Sequence, residues 1–291
     1  MSSNTSGTTI NTKQSKISGW LAIPAPLARL FKKFPLLTYP PNELPARSPS
    51  ARDVPTLYVF ISDRDALYGL PSFNPNCLKW QTFLKLAGVA FRVTSSTNHA
   101  SPTGALPFLL PPSSPKPIPT SQFEEYAAEN GITKILDAPS LRVEAYESLL
   151  DDRIRNAWLY ALYLSRPNTA LLSRLYITPV SASLVVRKTT LYNLRNAAEA
   201  DILRSLGTPV VNAGTLYEGA RDAFEALSVL LGDDDWFFGM VRPGLFDAKV
   251  FSYTHLLLDE RLVWEDWTLT EILMEFPNLV AHRDRIFESC W

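Results

Sequence analysis

The stretch NPNCLKWQTFLKLAGVAFRVT, residues 74–94, joins a helix signal to a strand signal through one glycine, and its reading decides the fold. Asn74 is a good N-cap, and Pro75 stands at the first helical position, where its missing N–H costs no hydrogen bond. Leu78, Phe83, Leu84 and Leu86 follow at helical spacing, and Gly88 ends the helix. Phe91-Arg92-Val93-Thr94 then resumes as a β-rich run. Upstream, Leu57-Tyr58-Val59-Phe60-Ile61 reads as a buried strand. Downstream, Leu106-Pro107-Phe108-Leu109-Leu110 makes a third strand, a fourth lies near Ile118, and a short helix covers Phe123 to Asn130.

Beyond Asp137 the strand signals fade and a period near 3.6 takes over. Tyr146, Leu149, Leu150, Ile154, Ala157, Trp158, Ala161 and Leu162 form one apolar stripe. A second runs through Leu184, Leu191, Leu194, Ala198 and Ile202 and stops before Gly207. Leu216, Ala220, Phe224, Leu227 and Leu231 form a third, and Phe246 to Leu258 a fourth. The expected fold class is α/β plus all-α: a mixed β/α unit at residues 55–136 followed by a helical domain at residues 137–291. Residues 1–54 form a separate, proline-rich arm.

The arm is basic. Residues 1–52 hold Lys13, Lys16, Arg29, Lys32, Lys33, Arg47 and Arg52 against Glu43 alone, whereas the whole chain has a formal net charge of -1. A balance so near zero gives no electrostatic case for nucleic acid. Only Cys77 and Cys290 occur, with no Cys/His cluster, which argues against a disulfide framework or a zinc site. Nor does any apolar run approach the roughly 20 residues of a membrane-spanning helix. Membrane contact is therefore expected to be peripheral. The candidate partner-binding residues are Trp20, Leu27, Leu30, Phe31, Lys32 and Lys33, apolar and basic side chains interleaved in one segment. Residues 1–37 also read as a targeting peptide, being basic, rich in Ser and Thr, and free of acids.

Several landmarks resemble the glutathione-transferase fold. Gly88-Val89-Ala90-Phe91 resembles its turn from the first helix into the second strand, and Leu106-Pro107 its cis-proline. Ser121 resembles the serine that caps the last helix of the thioredoxin-like domain and holds the glutamyl end of glutathione. Pro243-Gly244-Leu245-Phe246-Asp247-Ala248 resembles the entry to the sixth helix, with Asp247 at N3 and Gly244 leaving the capping box half present. Cys77-Leu78-Lys79-Trp80-Gln81-Thr82-Phe83-Leu84, Ser101 to Phe108 and Asp247-Ala248-Lys249-Val250-Phe251 are more similar to the metaxin branch, within it to the fungal metaxin-like subunit of the mitochondrial sorting and assembly machinery (SAM complex). That resemblance implies a peripheral protein on the cytosolic side of the mitochondrial outer membrane. Its implied partners are a membrane β-barrel subunit, a second metaxin-like subunit and β-barrel precursors.

An enzyme of this fold needs a thiol, hydroxyl or phenol at the start of the first helix, where the helix N-terminus stabilises an anion. That position falls near Asn74, and an amide neither ionises nor attacks but caps well. Cys77 stands where a redox pair has its second cysteine, without the first; it is a buried structural thiol or a reactive one. Ser121 is a helix cap or a holder of a glutathione carboxylate. His255 is expected to be a hydrogen-bonded packing residue, and Asp233-Asp234-Asp235 a solvated loop or an acidic surface for basic partners. No catalytic, cofactor-binding or metal-binding residue is assigned; Asn74, Cys77, Pro107, Ser121 and Asp247 are given structural roles. The competing function is a glutathione-dependent transferase or reductase.

Overall fold

The computed structural model of the chain describes residues 54–112, 116–133 and 140–291. Strand β1 (Thr56–Val59) occupies an inner position of a sheet ordered β2-β1-β3-β4, with β2 at Arg92–Ser95, β3 at Phe108–Leu110 and β4 at Ile118–Pro119. It runs parallel to β2, with Leu57 opposite Val93, and antiparallel to β3, with Leu57 opposite Leu109. Leu57, Val59 and Leu109 are fully buried. Tyr58 stacks on its cross-strand partner Phe108 at 4.5 Å, so the opposite face of the sheet is also packed.

A short helix α1 (Asp63–Leu67) and the longer α2 (Pro75–Leu86) make the crossover between β1 and β2. Asn74 caps α2, and the chain leaves it at Ala87 and then Gly88, whose φ of +72° favours glycine. The Leu106–Pro107 bond is cis, as the resemblance implied. Helix α3 (Phe123–Asn130) closes the unit and sends Phe123 and Ala127 into its core.

From Ser140 to Leu164 the chain is helical throughout: α4 (Ser140–Leu149), a π-turn at Leu150–Ile154, α5 (Arg155–Leu159) and a second π-turn at Tyr160–Leu164. Leu150, Ile154, Ala157, Trp158, Ala161 and Leu162 are buried, as their stripe predicted. Next come α6 (Thr169–Leu172) with its π-turn Ser173–Ile177, and α7 (Leu184–Leu206), which ends at Gly207 in the left-handed region. The stripe assigned to α7 needs one correction. Ala198 and Ile202 are buried and Leu191 and Leu194 are partly covered, but Leu184 is 72% exposed, because the first turns of α7 stand clear of the domain.

Helix α8 (Ala213–Leu231) and helix α9 (Leu245–Leu258) follow the predicted bounds closely. Two further helices, α10 (Thr268–Met274) and α11 (Pro277–Cys290), complete the bundle. The sequence pattern did not mark them. Helix α11 buries only Leu279, His282 and Ile286, a narrow stripe with a histidine in its middle.

The two halves share residues across their boundary. Leu78 of α2 sits in the core of the helical half, while Ala248 of α9 sits in the core around the sheet. At the other end of α2, Lys85 donates to the carbonyl of Cys290 at 2.8 Å and lies 4.7 Å over the ring of Trp291. The indole of Trp291 in turn donates to the carbonyl of Gly69 at 2.9 Å. Among the described residues no helix is long and apolar enough to cross a membrane.

Candidate functional site

The start of α2 is where a protein of this architecture would place a nucleophile, and its geometry follows from its polar residues. The Asn74 carbonyl oxygen accepts from the backbone N–H of Cys77 at 3.1 Å and so caps the helix. Its amide nitrogen donates to the hydroxyl of Tyr176, from the helical half, at 3.1 Å. Tyr176 also meets Phe60 at 5.3 Å and Phe73 at 5.2 Å, both edge to face. Burial holds its hydroxyl well above the usual phenol range, with Tyr163 beside it adding to that. Asn74 is thus fixed at both ends of its side chain, beneath an aromatic cluster.

The loop that leads into the helix is stitched to it. Ser72 donates through its hydroxyl to the carbonyl of Phe60, and the same hydroxyl accepts from the N–H of Asn74. The buried Gln81 accepts from the N–H of Ser72 at 2.9 Å and donates to the carbonyl of Leu70 at 2.9 Å. Beside the helix start, both backbone groups of Leu106, the residue before the cis-proline, make hydrogen bonds. Its N–H donates to Asn98 and its carbonyl accepts from Asn76, each at 3.0 Å. A peptide-like ligand lying beside the helix start finds no free N–H donor at Leu106.

Cys77 is fully buried. Burial pushes its thiol up to about 12, outweighing smaller opposite effects from the Phe60 backbone and the Ser72 side chain. Burial and the raised thiol support its structural reading, since the nucleophile is the thiolate.

Asp247 takes the structural role expected of it, and more. One carboxylate oxygen accepts from the N–H of Gly244 at 2.9 Å, which is the half of the capping box that glycine leaves possible. The other accepts from the N–H of Phe237 at 3.0 Å and lies 2.9 Å from Nε2 of His282 on α11. Both side chains are buried. His282 carries no signal for this pairing in the sequence, because its partner is 35 residues away.

Two expectations fail. Ser121 does not cap α3: it lies exposed inside a 3₁₀ turn, Thr120–Gln122, so the capping positions fall at Pro119 and Gln122, neither of which makes a side-chain cap bond. His255 is the packing residue expected, buried and stacked between Phe251 at 5.0 Å and Phe287 at 5.1 Å, but among the described residues neither ring nitrogen has the expected hydrogen-bond partner. The candidate partner-binding residues Trp20, Leu27, Leu30, Phe31, Lys32 and Lys33 lie outside the described residues. Among the described residues no group of three metal-ligating side chains converges.

Comparison with known proteins agrees with this architecture. Models of the glutathione S-transferase N-terminal and C-terminal domains match residues 75–168 and 220–286. Metaxin-3 of Xenopus laevis is 25% identical over 236 residues, covering 76% of this chain and 73% of that protein. Metaxin-1 of Homo sapiens is 28% identical over 207 residues, covering 67% of this chain and 43% of that protein. A glutathione transferase of Phanerochaete chrysosporium, GSTFuA3, superposes over 78% of this chain and 97% of its own at 12% identity, with a TM-score of 0.48. The sheet unit, the helical bundle and the two domain matches define a protein of the glutathione-transferase fold. Within that class, the chain is metaxin-like.

Proposed function

We propose that the chain is a non-catalytic, peripheral subunit of the mitochondrial outer-membrane sorting and assembly machinery. On the cytosolic face it binds a membrane β-barrel subunit and a second metaxin-like subunit, and it helps recognise and insert β-barrel precursors. The likeness to Metaxin-3 and Metaxin-1 supports the mitochondrial outer-membrane location, while the cytosolic face and the partners rest on the resemblance of the sequence motifs. The observation that carries the non-catalytic reading is Asn74, an amide at the nucleophile position that is hydrogen bonded to both Cys77 and Tyr176. The arm is assigned to attachment: Trp20, Leu27, Leu30 and Phe31 are each worth roughly 1.5–3 kcal/mol when buried, and Lys32 and Lys33 suit an anionic surface or an acidic rim.

The test is purification of the tagged full chain from mitochondria in mild detergent. A β-barrel subunit should co-purify with it, and recovery of the chain alone contradicts the proposal. A chain lacking residues 1–52 should keep its melting temperature and lose the barrel. Loss of several degrees with the barrel retained would assign the arm to folding instead.

A further inference from the structure

The first turns of α7 carry an exposed apolar group that the bundle does not use. Val180 is 62% exposed, Leu184 72%, Val185 74% and Val186 45%. Residues 184, 185 and 186 together sweep about 200° of the helix circumference, so the turn stands free on most of its sides. Val185, Lys188 and Tyr192 share one face at i, i+3 and i+7, with Tyr192 65% exposed. Lys188 is exposed and forms no ion pair among the described residues, and the neighbouring Arg187 folds back to donate to the carbonyl of Ser181.

The sequence around the tip has a single sign of charge, and the acids that meet its neighbouring segments are Asp201, paired with Arg155, and Asp266, bonded to Ser165. From Arg153 to Ala198 the sequence holds seven Arg and Lys residues and no Asp or Glu. The segments Arg155–Leu159, Tyr160–Leu164 and Ser173–Ile177, which pack against α7, all belong to that acid-free stretch. The first acid on α7, Glu199, lies about 22 Å along the axis from Leu184. Aliphatic side chains at a free helix end, followed one turn later by a lysine, match a bilayer in order of depth: hydrocarbon, then phosphate.

We infer that the tip from Val180 to Tyr192 docks on an anionic lipid bilayer, with Leu184, Val185 and Val186 entering the acyl boundary and Lys188 at the phosphates. The inference extends the membrane-peripheral role proposed above by naming the surface that meets the lipid. A bilayer fits this tip better than a protein does, because a protein partner would have to enclose an isolated helical turn from several directions.

The experiment is flotation of the full chain with protein-free phosphatidylcholine vesicles, with and without about one third phosphatidylserine. The full chain should bind the anionic vesicles, and added salt should weaken that binding. The triple variant Leu184→Ser/Val185→Asp/Val186→Ser should bind at least tenfold more weakly with an unchanged melting temperature. Lys188→Glu should cost a several-fold loss on anionic vesicles alone. The inference is overturned if the full chain ignores anionic vesicles, or if the triple variant floats with them as well as the parent. It is also overturned if the triple variant keeps vesicle binding but loses the co-purifying barrel, which would assign the tip to protein. Because the vesicles contain no barrel, failure here leaves the proposed subunit role standing, and loss of the barrel from the parent chain leaves the lipid result standing.

Discussion

The amide nitrogen of Asn74 and the hydroxyl of Tyr176 lie 3.1 Å apart, although 102 residues separate them in sequence. The bond ties the helix start of the sheet half to the helical half at the place where a related enzyme would open a cleft. Replacing Asn74 with Ala removes both the cap of α2 and the partner of a buried phenol. A loss of about 1–2 kcal/mol is expected in urea unfolding, with Asn74→Asp losing less because it retains the cap. If Asn74→Ala is as stable as the parent, the cap and the bond to Tyr176 do not contribute to the fold.

Cys77 and Cys290 should react very differently. With its thiol pushed up to about 12 and no exposed surface, Cys77 should resist a thiol reagent in the native protein at neutral pH and react only on unfolding. Cys290 is only partly buried and should be modified first, although burial raises its thiol as well. Mass spectrometry of the partly labelled native protein checks the order, and early labelling of Cys77 would restore the reactive reading.

The buried Asp247 serves Gly244, Phe237 and His282 at once. Asp247→Ala strands two backbone donors and a ring nitrogen, and it is expected to cost about 3–5 kcal/mol. Asp247→Asn should cost clearly less, because one acceptor survives. A double-mutant cycle with His282→Ala should return a coupling of at least about 1 kcal/mol, and additivity within error would deny the pair.

His255 makes stability depend on pH. In the folded chain, burial together with Arg283 and, less strongly, Arg261 lowers its pKa to about 3, with only Asp259 opposing, whereas the ordinary value is 6.5. The unfolded chain therefore takes up this proton first, and stability falls as pH drops from about 6.5 towards 3, by an order of a few kcal/mol. Asp259, held below the usual carboxylate range mainly by Arg261, adds to the loss at the lower end of that window. His255→Phe keeps the stacking with Phe251 and Phe287 and should flatten the decline between pH 6 and about 4. An unchanged slope would place the titrating group elsewhere.

What was legible in the sequence was local. Asn74 and Pro75 mark a helix start because capping is decided within three residues, and Asp247 could be placed at N3 for the same reason. Tyr176 and His282 were out of reach, since each acquires its role from a partner on another element. Ser121 misled because a serine before a helix caps it only if the helix begins directly after it, and here a 3₁₀ turn intervenes. The periodicity placed Leu184 in a buried stripe because spacing records which side chains share a face, not how far along the helix a neighbour extends. Helix α11 escaped notice because a histidine stands at the centre of its buried stripe.

The most direct measurement of the central claim is the initial rate of glutathione conjugation by the purified full chain across a wide range of glutathione concentration. With Asn74 bonded to Tyr176, Cys77 held as a thiol and the N–H of Leu106 already donated, the rate should not exceed the uncatalysed reaction and should show no saturation. Saturable conjugation that is abolished by replacing Asn74 or Cys77 would contradict the account.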